Sequence, residues 1–253
     1  MSEPSKPKPV PNRTSLTDAL IRKLRVNAEL DAEDIATIER LPFTREQLAA
    51  GAFIVREGDR PSRCCLLVDG FLFRAKTTED GKRQILSFHV PGDIPDLQSL
   101  HLHVSDHDLV ALNDATVGFI PHEALHEITR LRPKVAAVLW RETLIDSALF
   151  RDWIVNVSRR PAPARMAHLI SELARRLDAV GLLKDEQAYL PLTQVHLADA
   201  LGLTSVHVNR VLQELRRDGV MDLKDRVLRF SDAKRLEELG AFDPLYLHQH
   251  PKL

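Results

Sequence analysis

The chain has 253 residues, of which 44% are hydrophobic, with 35 lysines and arginines against 36 aspartates and glutamates. Its length accommodates one large domain or two ordinary ones, and its composition is that of a soluble globular protein. The formal net charge of −1 excludes a globally basic nucleic-acid-binding protein, so any affinity for DNA or RNA must come from locally placed cations.

The cysteines and the N-terminus point to the cytoplasm. Cys64 and Cys65 are adjacent and cannot cross-link distant parts of a fold, which favours a reducing compartment. Residues 1–14 are rich in Pro and Lys and lack the apolar core of a secretory signal, so we expect a disordered tail. No apolar run approaches the roughly 18 residues that span a bilayer. We therefore expect a cytoplasmic protein that does not enter a membrane.

Residues 15–132 are predicted to form a first domain. Helical patterns cover residues 16–26 and 32–41. Between residues 48 and 120, short apolar segments alternate with Asp-Gly and Gly-Asp pairs, and such pairs between strands indicate turns. Many short strands at this spacing predict an antiparallel sandwich or barrel.

A long helix is predicted from residue 133 to 157, within a dimerisation and hinge region at 133–160. Apolar residues surround nearly the whole helix, so it must be buried on more than one side. One side can cover the strand domain, and the same helix of a second subunit is the simplest partner for the other. The spacings that fit a heptad seam join Val138 to Ile145 and Val135 to Leu149. Burial inside a monomer is the alternative.

Residues 161–240 are predicted to form a second domain, followed by a tail at 241–253. Prolines on both sides of Ala162 break the long helix and predict a hinge. From Leu192 to Phe230 the pattern is helix, tight turn, helix and β-hairpin, with Thr193 capping the first helix and Gly202 ending it. This order predicts a winged helix-turn-helix, whose second helix enters the DNA major groove.

The outer face of that second helix carries the predicted DNA contacts. Arg210 can donate two hydrogen bonds to guanine, worth about 1–3 kcal/mol of discrimination. Asn209 can pair with adenine or hold a phosphate, whereas Val206 can only pack, for example on a thymine methyl. The polar residues at helix N-termini are expected to contact phosphate. The complete predicted set is Thr193, Gln194, Thr204, Ser205, Val206, His207, Asn209 and Arg210. A packing unit that contacts only protein is the alternative.

Together these segments resemble the Crp/Fnr family of bacterial transcription regulators. The resemblance covers residues 41–230 and rests on IVREGD, LLVDGFL, EDGKRQILSF and PGD, and on LADALGLTSVHVNRVLQELRRDGVM. It implies an α+β fold with an N-terminal double-stranded β-helix (jelly roll) of the cyclic-nucleotide-binding type, a long dimerisation helix and a C-terminal winged helix-turn-helix. It also implies a homodimer that reads palindromic double-stranded DNA, with RNA polymerase as a further partner, rather than an enzyme.

Residue by residue, the resemblance assigns guanine reading to Arg210 and places Ser205, Val206 and Asn209 on the other recognition positions. Val206 stands where the family commonly has glutamate. Because a carboxylate accepts a hydrogen bond from cytosine N4 and valine cannot, we predict an operator half-site that differs from those of the best-known members.

The effector site of the family is altered in this sequence. Pro95-Asp96 stands where a Gly-Glu pair would contact a ribose, and HVSDHDLV has no arginine for the phosphate. A buried phosphate without a cation is costly, so we do not expect cyclic AMP to bind. Asp96, Phe150 and Arg151 are the predicted lining of any effector pocket. An effector-independent regulator is the alternative.

Metal and redox sites have little support. An iron–sulfur cluster needs several spaced cysteines, so none is expected, and a haem would need an axial ligand that spacing does not select. The cluster His101, His103 and His107 could hold a metal in a cupin-like protein or enzyme, act as a protonation switch or be solvated. The two cysteines are expected to be buried strand residues, with redox sensing as the alternative.

Overall fold

The computed structural model describes residues 13–249, so the predicted tail at residues 1–14 lies almost entirely outside the described part. Two helices open it, α1 (Arg13–Asn27) and α2 (Ala32–Glu39). Helix α1 begins three residues before the predicted start. Helix α2 begins with a capping box, in which Asp31 accepts a hydrogen bond from the Asp34 amide and Asp34 returns the contact, so two otherwise unpaired N–H groups are satisfied.

Antiparallel strands then form two sheets that pack on each other. Their bounds are β1 (Thr44–Leu48), β2 (Phe53–Val55), β3 (Arg63–Asp69), β4 (Leu72–Thr77), β5 (Arg83–His89), β6 (Asp108–Ala111) and β7 (Ala115–Pro121). One sheet has the order β1-β7-β3 and the other β2-β6-β4-β5. The shared core includes Cys65, Leu67, Leu72, Leu109, Val117 and Phe119. The predicted α+β fold with a jelly-roll first domain is confirmed.

Strand β3 is covered on both faces, which explains its adjacent cysteines. Cys64 packs towards α1 in one apolar cluster, and Cys65 packs between the sheets in another. Consecutive strand residues point to opposite faces, so two apolar environments require two small apolar side chains in a row. Burial raises the pKa of both thiols. The thiolate is the reactive form, and burial disfavours it. The prediction that both cysteines are buried strand residues is confirmed.

A short helix, α3 (His122–Leu131), leads into the long helix α4 (Pro133–Arg159), which starts with proline in its first turn. Val135, Val138, Ile145 and Leu149 are all buried against their own chain. The predicted heptad seam through these four residues is therefore wrong. The exposed side of α4 carries a different stripe, described below, because a helix that is apolar all round offers more than one seven-residue spacing.

The hinge is shorter than predicted. Only two residues separate the end of α4 at Arg159 from the start of α5 (Ala162–Ala179), and Pro163 lies inside the first turn of α5. Proline is tolerated there because the first-turn N–H has no helical partner. The bend therefore falls at Arg160-Pro161 alone.

The second domain is the predicted winged helix-turn-helix. Helices α6 (Gln194–Leu201) and α7 (Ser205–Arg217) precede a hairpin of β9 (Met221–Lys224) and β10 (Val227–Phe230), and α8 (Ala233–Leu239) follows. The hairpin turns at Asp225 and Arg226, which adopt positive φ, whereas the sequence pattern predicts the turn at residues 223–225. A third strand, β8 (Gln187–Tyr189), pairs with β10, although the sequence pattern predicts only a connector over residues 182–191.

The two domains share one apolar core. Phe73 and Phe88 from β4 and β5 belong to the same buried cluster as Leu173 of α5 and Leu197 of α6. At its edge, Arg83 of β5 lies 2.7 Å from Asp199 of α6. The strand hairpin of the first domain therefore rests directly on the first helix of the helix-turn-helix. None of the helices between residues 13 and 249 has the length and hydrophobicity that crossing a bilayer would take.

Candidate nucleic-acid interface

Helix α7 is fixed by a cap and by an apolar inner face. The Thr204 hydroxyl accepts a hydrogen bond from the His207 amide at 3.2 Å, which satisfies one of the unpaired N–H groups of the first turn. Val208, Val211 and Leu215 recur every three or four residues and are buried. The opposite face is therefore held outward along the whole helix.

That outward face presents the predicted reading residues. Val206 is 83% exposed, and Asn209 and Arg210 are also exposed. No carboxylate within residues 13–249 pairs with the Arg210 guanidinium, so its donors are free. Gln213 is exposed one turn beyond Asn209. Gln213 was not among the predicted contacts, although its four-residue spacing from Asn209 places it on the same face of the helix.

The remaining predicted contacts are Thr193, Gln194, Ser205 and His207, and they surround the start of α7. Thr193 and Gln194 are exposed at the start of α6, while Ser205 and His207 are half-buried. Gln194 Nε2 donates a hydrogen bond of 3.3 Å to Asn209 Oδ1, which links the two helices and leaves the Asn209 amide group free to donate. An amide that already accepts one bond is well placed to donate to a base or a phosphate.

The turn between the helices depends on Gly202. This residue has φ = +63° and ends α6, and the left-handed region is accessible to glycine without the steric cost of a Cβ. On the far side of α7, Arg216 lies 2.5 Å from Asp222 of β9. The ion pair thus connects the wing to the end of α7.

The predicted effector region is filled by a side chain that the sequence analysis missed. Arg74 of β4 is buried, donates to Asp146 of α4 at 2.9 Å and donates to the carbonyl of Pro95. Its guanidinium lies 5.1 Å from the centre of the Phe150 ring. Arg151, in contrast, is exposed and donates to Ser147 on the same helix. A lone arginine within the apolar run FLFRAKT was the available signal.

Asp96 is buried at the base of the same region. Its Oδ1 accepts a hydrogen bond of 2.7 Å from the Cys65 amide, whereas Oδ2 has no partner within the described residues. Burial raises the pKa of Asp96 to about 7, because the charged carboxylate loses its hydration.

Arg74 does not fit the phosphate of a cyclic nucleotide. The cavity lined by its two partners, Pro95 and Asp146, is about 50 Å³, which holds a few waters, whereas ligand pockets measure roughly 300–1,000 Å³. Asp96 lines a separate open cavity of about 300 Å³. The buried cation that could meet a phosphate is already paired with Asp146, so a phosphate would have to displace a carboxylate of its own chain.

The predicted histidine cluster does not form. His101 ends the 3-10 helix Leu97–Leu100 and His103 lies in the following loop, so the two do not share a strand face. His107 is buried and lies 2.7 Å from Asp106. Among residues 13–249, no group of three His, Cys, Asp or Glu is placed to hold a metal. A cupin-like site of His101, His103 and His107 is therefore wrong.

A buried ion network joins both domains behind the interface. Asp93, in the PGD turn, lies 3.1 Å from Lys23 of α1 and 2.8 Å from Arg176 of α5. Burial alone would raise the pKa of Asp93, yet these two cations hold it well below its usual range. Gly92, with φ = +100°, permits the approach, since a Cβ there would lie 2.7 Å from the Ala19 carbonyl oxygen.

Comparisons with known proteins agree with this architecture. A cyclic nucleotide-binding domain model matches residues 45–131, and a Crp-like helix-turn-helix domain model matches residues 164–239. The transcriptional activator protein FnrL of Cereibacter sphaeroides is 31% identical over 88% of this chain and 91% of its own length. The nitrogen fixation regulation protein FixK of Bradyrhizobium diazoefficiens is 27% identical over 91% of this chain and 96% of its own.

A solved structure gives the same result. FixK2 from Bradyrhizobium japonicum superposes with a TM-score of 0.73 at 26% identity, covering 80% of this chain and all of its own. A cyclic-nucleotide-binding-like domain, a long helix and a winged helix-turn-helix define a class of DNA-binding transcription regulators that are not enzymes. The chain belongs to the Crp/Fnr family of transcription regulators.

Proposed function

We propose that this regulator binds a palindromic operator in double-stranded DNA as a homodimer, with α7 in the major groove. The observation that carries the proposal is the exposed triad of Val206, Asn209 and Arg210 at the N-terminal end of α7. Asn209 keeps its amide group free to donate, since its bond to Gln194 uses only Oδ1. Arg210 reads guanine, Val206 packs on a thymine methyl and Asn209 donates to a base or a phosphate.

The contacts around this triad hold the DNA backbone. Thr193, Gln194 and Thr204 lie at the starts of α6 and α7, where the helix dipole favours phosphate. Ser205 and His207 flank Val206 and contact the strand at the groove edge. The overall negative charge is compatible with this, because the cations need only be local.

The exposed stripe of α4 supports the homodimer. Its members recur at alternating intervals of three and four residues, as in a two-stranded coiled coil, and they are Ala137, Trp140, Leu144, Ser147, Arg151 and Ile154. Trp140 is 68% exposed and Ile154 is 65% exposed, so a large apolar surface faces outward. The stripe continues into an apolar groove of about 680 Å³ that Trp140 shares with Leu100 and Leu102.

The domain assignment follows the matched segments. Residues 15–132 form the sensory-type domain, 133–160 the dimerisation helix and hinge, and 161–240 the DNA-binding domain. The pairing of Arg74 with Asp146 favours a regulator without a small effector in the first domain. RNA polymerase is the further partner, and the cytoplasm, where bacterial promoters lie, is the place of action.

Selection of binding sites from randomised DNA by the full-length protein tests this function. We expect a two-fold symmetric site containing guanine at a fixed position in each half. Arg210→Ala should abolish that guanine preference, and Arg210→Lys should weaken it, because lysine retains charge without the two-pronged donor geometry. Lys234→Ala removes a cation on α8, away from the proposed interface, and should change neither the symmetry of the site nor the guanine preference. An unsymmetrical site, or an unchanged guanine preference in Arg210→Ala, would contradict the proposal.

A further inference from the structure

The described C-terminal segment, residues 241–249, is packed rather than loose. It lies beyond residues 164–239 that the helix-turn-helix model matches and was predicted as a tail. It contains the 3-10 helix Pro244–Leu247, in which Leu247 is buried. Arg141 of α4 donates to the carbonyl of His248 at 3.4 Å. We call residues 241–249 the C-terminal strap.

Tyr246 attaches the strap to α5. Its ring is stacked on His168, with the ring planes 16° apart and the centroids at 5.9 Å. Its hydroxyl donates to Glu172 Oε2 at 3.0 Å and lies 3.1 Å from His168 Nε2. Burial and the nearby carboxylates raise the pKa of Tyr246, so the hydroxyl remains a donor.

The same two α5 residues also hold α4. His168 Nε2 lies 2.5 Å from Asp152 Oδ2, and the indole of Trp153 donates to Glu172 Oε2 at 2.8 Å. Asp152 and Trp153 precede the Arg160-Pro161 bend, whereas His168 and Glu172 follow it. Tyr246 therefore completes a set of contacts that spans the hinge.

The strap leaves α8 at a fixed point beside this junction. His168 Nδ1 lies 3.1 Å from the Gly240 carbonyl oxygen. A Cβ at Gly240 would lie 2.6 Å from the His168 amide nitrogen, so the backbones are in close contact. A rotation of the DNA-binding domain about the hinge would separate α4 from α5. It would break the contacts of Asp152 with His168 and of Trp153 with Glu172, and the bond from Arg141 of α4 to the strap.

We propose that the C-terminal strap sets the angle between the long helix and the winged helix, and that Tyr246 is the positioning residue through which it acts. In a homodimer, that angle determines the distance between the two α7 helices. Palindromic operators have half-sites about one helical turn, ~34 Å, apart, so the angle selects half-site spacing. This inference rests on the proposed homodimeric reading of DNA.

The experiment compares operators that differ only in spacing. The optimal operator of the full-length protein is altered by inserting or deleting one base pair between its half-sites, and affinities are measured for three variants. Tyr246→Ala removes the ring and hydroxyl, and Tyr246→Phe removes only the hydroxyl. Leu245→Ala is the matched control, because Leu245 is in the same strap and 64% exposed.

We expect the ratio of affinities for optimal and altered spacing to fall about tenfold in Tyr246→Ala, with an intermediate loss in Tyr246→Phe, as for a lost hydrogen bond to a charged group. Leu245→Ala should match the natural chain. A uniform loss of affinity at all spacings, or an unchanged ratio in folded Tyr246→Ala, would overturn the strap proposal. If Tyr246→Ala does not fold, an unchanged affinity ratio in Tyr246→Phe would overturn the strap proposal instead.

Failure of the proposed function can be distinguished from failure of the strap proposal. If the natural chain binds a single half-site as tightly as the palindrome, homodimeric reading is wrong whatever the strap does. If it prefers the palindrome and the variants retain its spacing preference, only the strap proposal is wrong. Sedimentation of each variant shows whether the dimer itself has changed.

Discussion

Replacing Val206 with glutamate should change the base preference of this regulator without disturbing its fold. Val206 is 83% exposed at the second position of α7, so the substitution removes almost no packing. A carboxylate in the first turn of a helix is stabilised by about 0.3–1 kcal/mol. The domain should therefore remain folded, with an unchanged or slightly higher melting temperature.

The gain in recognition follows from hydrogen-bond chemistry. A glutamate at this position can accept from the N4 amino group of cytosine, and one such contact is worth about 1–3 kcal/mol. This energy corresponds to a preference for cytosine of roughly 5- to 150-fold at one position of each half-site. The natural Val206 side chain instead presents two methyl groups to the base, which favours contact with a thymine methyl.

Competition binding with half-sites that carry each of the four bases at that position measures the change. Val206→Gln is the matched control, because it has the same length without the negative charge and should gain much less cytosine preference. If Val206→Glu leaves the preference unchanged at every position of the half-site, Val206 does not face the bases and our orientation of α7 in the groove is wrong.

Three further changes test other parts of the structure. Burial raises the pKa of Asp96 from 3.8 to about 7, so the folded state retains a proton that the unfolded state releases, and stability falls as the pH rises from about 4 to 7. In urea titrations, Asp96→Asn should raise the free energy of unfolding at pH 8 by up to about 4 kcal/mol, with little gain at pH 4. Trp140→Glu should increase the dimer dissociation constant more than about 100-fold in sedimentation, because it places a charge in the apolar stripe; an unchanged constant would place the interface elsewhere. Asp93→Asn should cost about 3 kcal/mol in thermal unfolding, because Lys23 loses its nearest carboxylate and Arg176 keeps only Glu172. A neutral effect would show that water replaces the carboxylate.

The local signals of the DNA-binding domain were sufficient to predict it. The roles of Thr193 and Gly202 can be predicted from nearby residues, because a helix cap and a left-handed turn depend on only a few neighbours in the chain. The strand β8 was missed for the opposite reason. Its partner β10 lies about 40 residues later, and three residues carry too short a pattern to indicate a strand.

The Arg74–Asp146 pair, the exposed face of α4 and the role of Tyr246 could not be predicted from the sequence, because each depends on tertiary contacts. Arg74 and Asp146 are 72 residues apart in the chain, so no spacing indicates that they pair. The α4 seam was assigned to the wrong face because apolar residues on all sides satisfy several heptad spacings, and only packing against the strands selects one. Tyr246 lies in a segment without periodicity, and its importance arises from two helices that sequence alone does not bring together.

The internal pairing of Arg74 with Asp146 has a consequence for control of gene expression. If Arg74 stays paired with Asp146 and the first domain binds no effector, as proposed, the regulator follows no small-molecule concentration. The amount of protein then becomes the signal. For the proposed dimer at low concentration, mass action makes the dimer population rise with the square of the monomer, so doubling synthesis gives about four times as much DNA-binding species. Synthesis and degradation of the chain would thus set the output of its promoters.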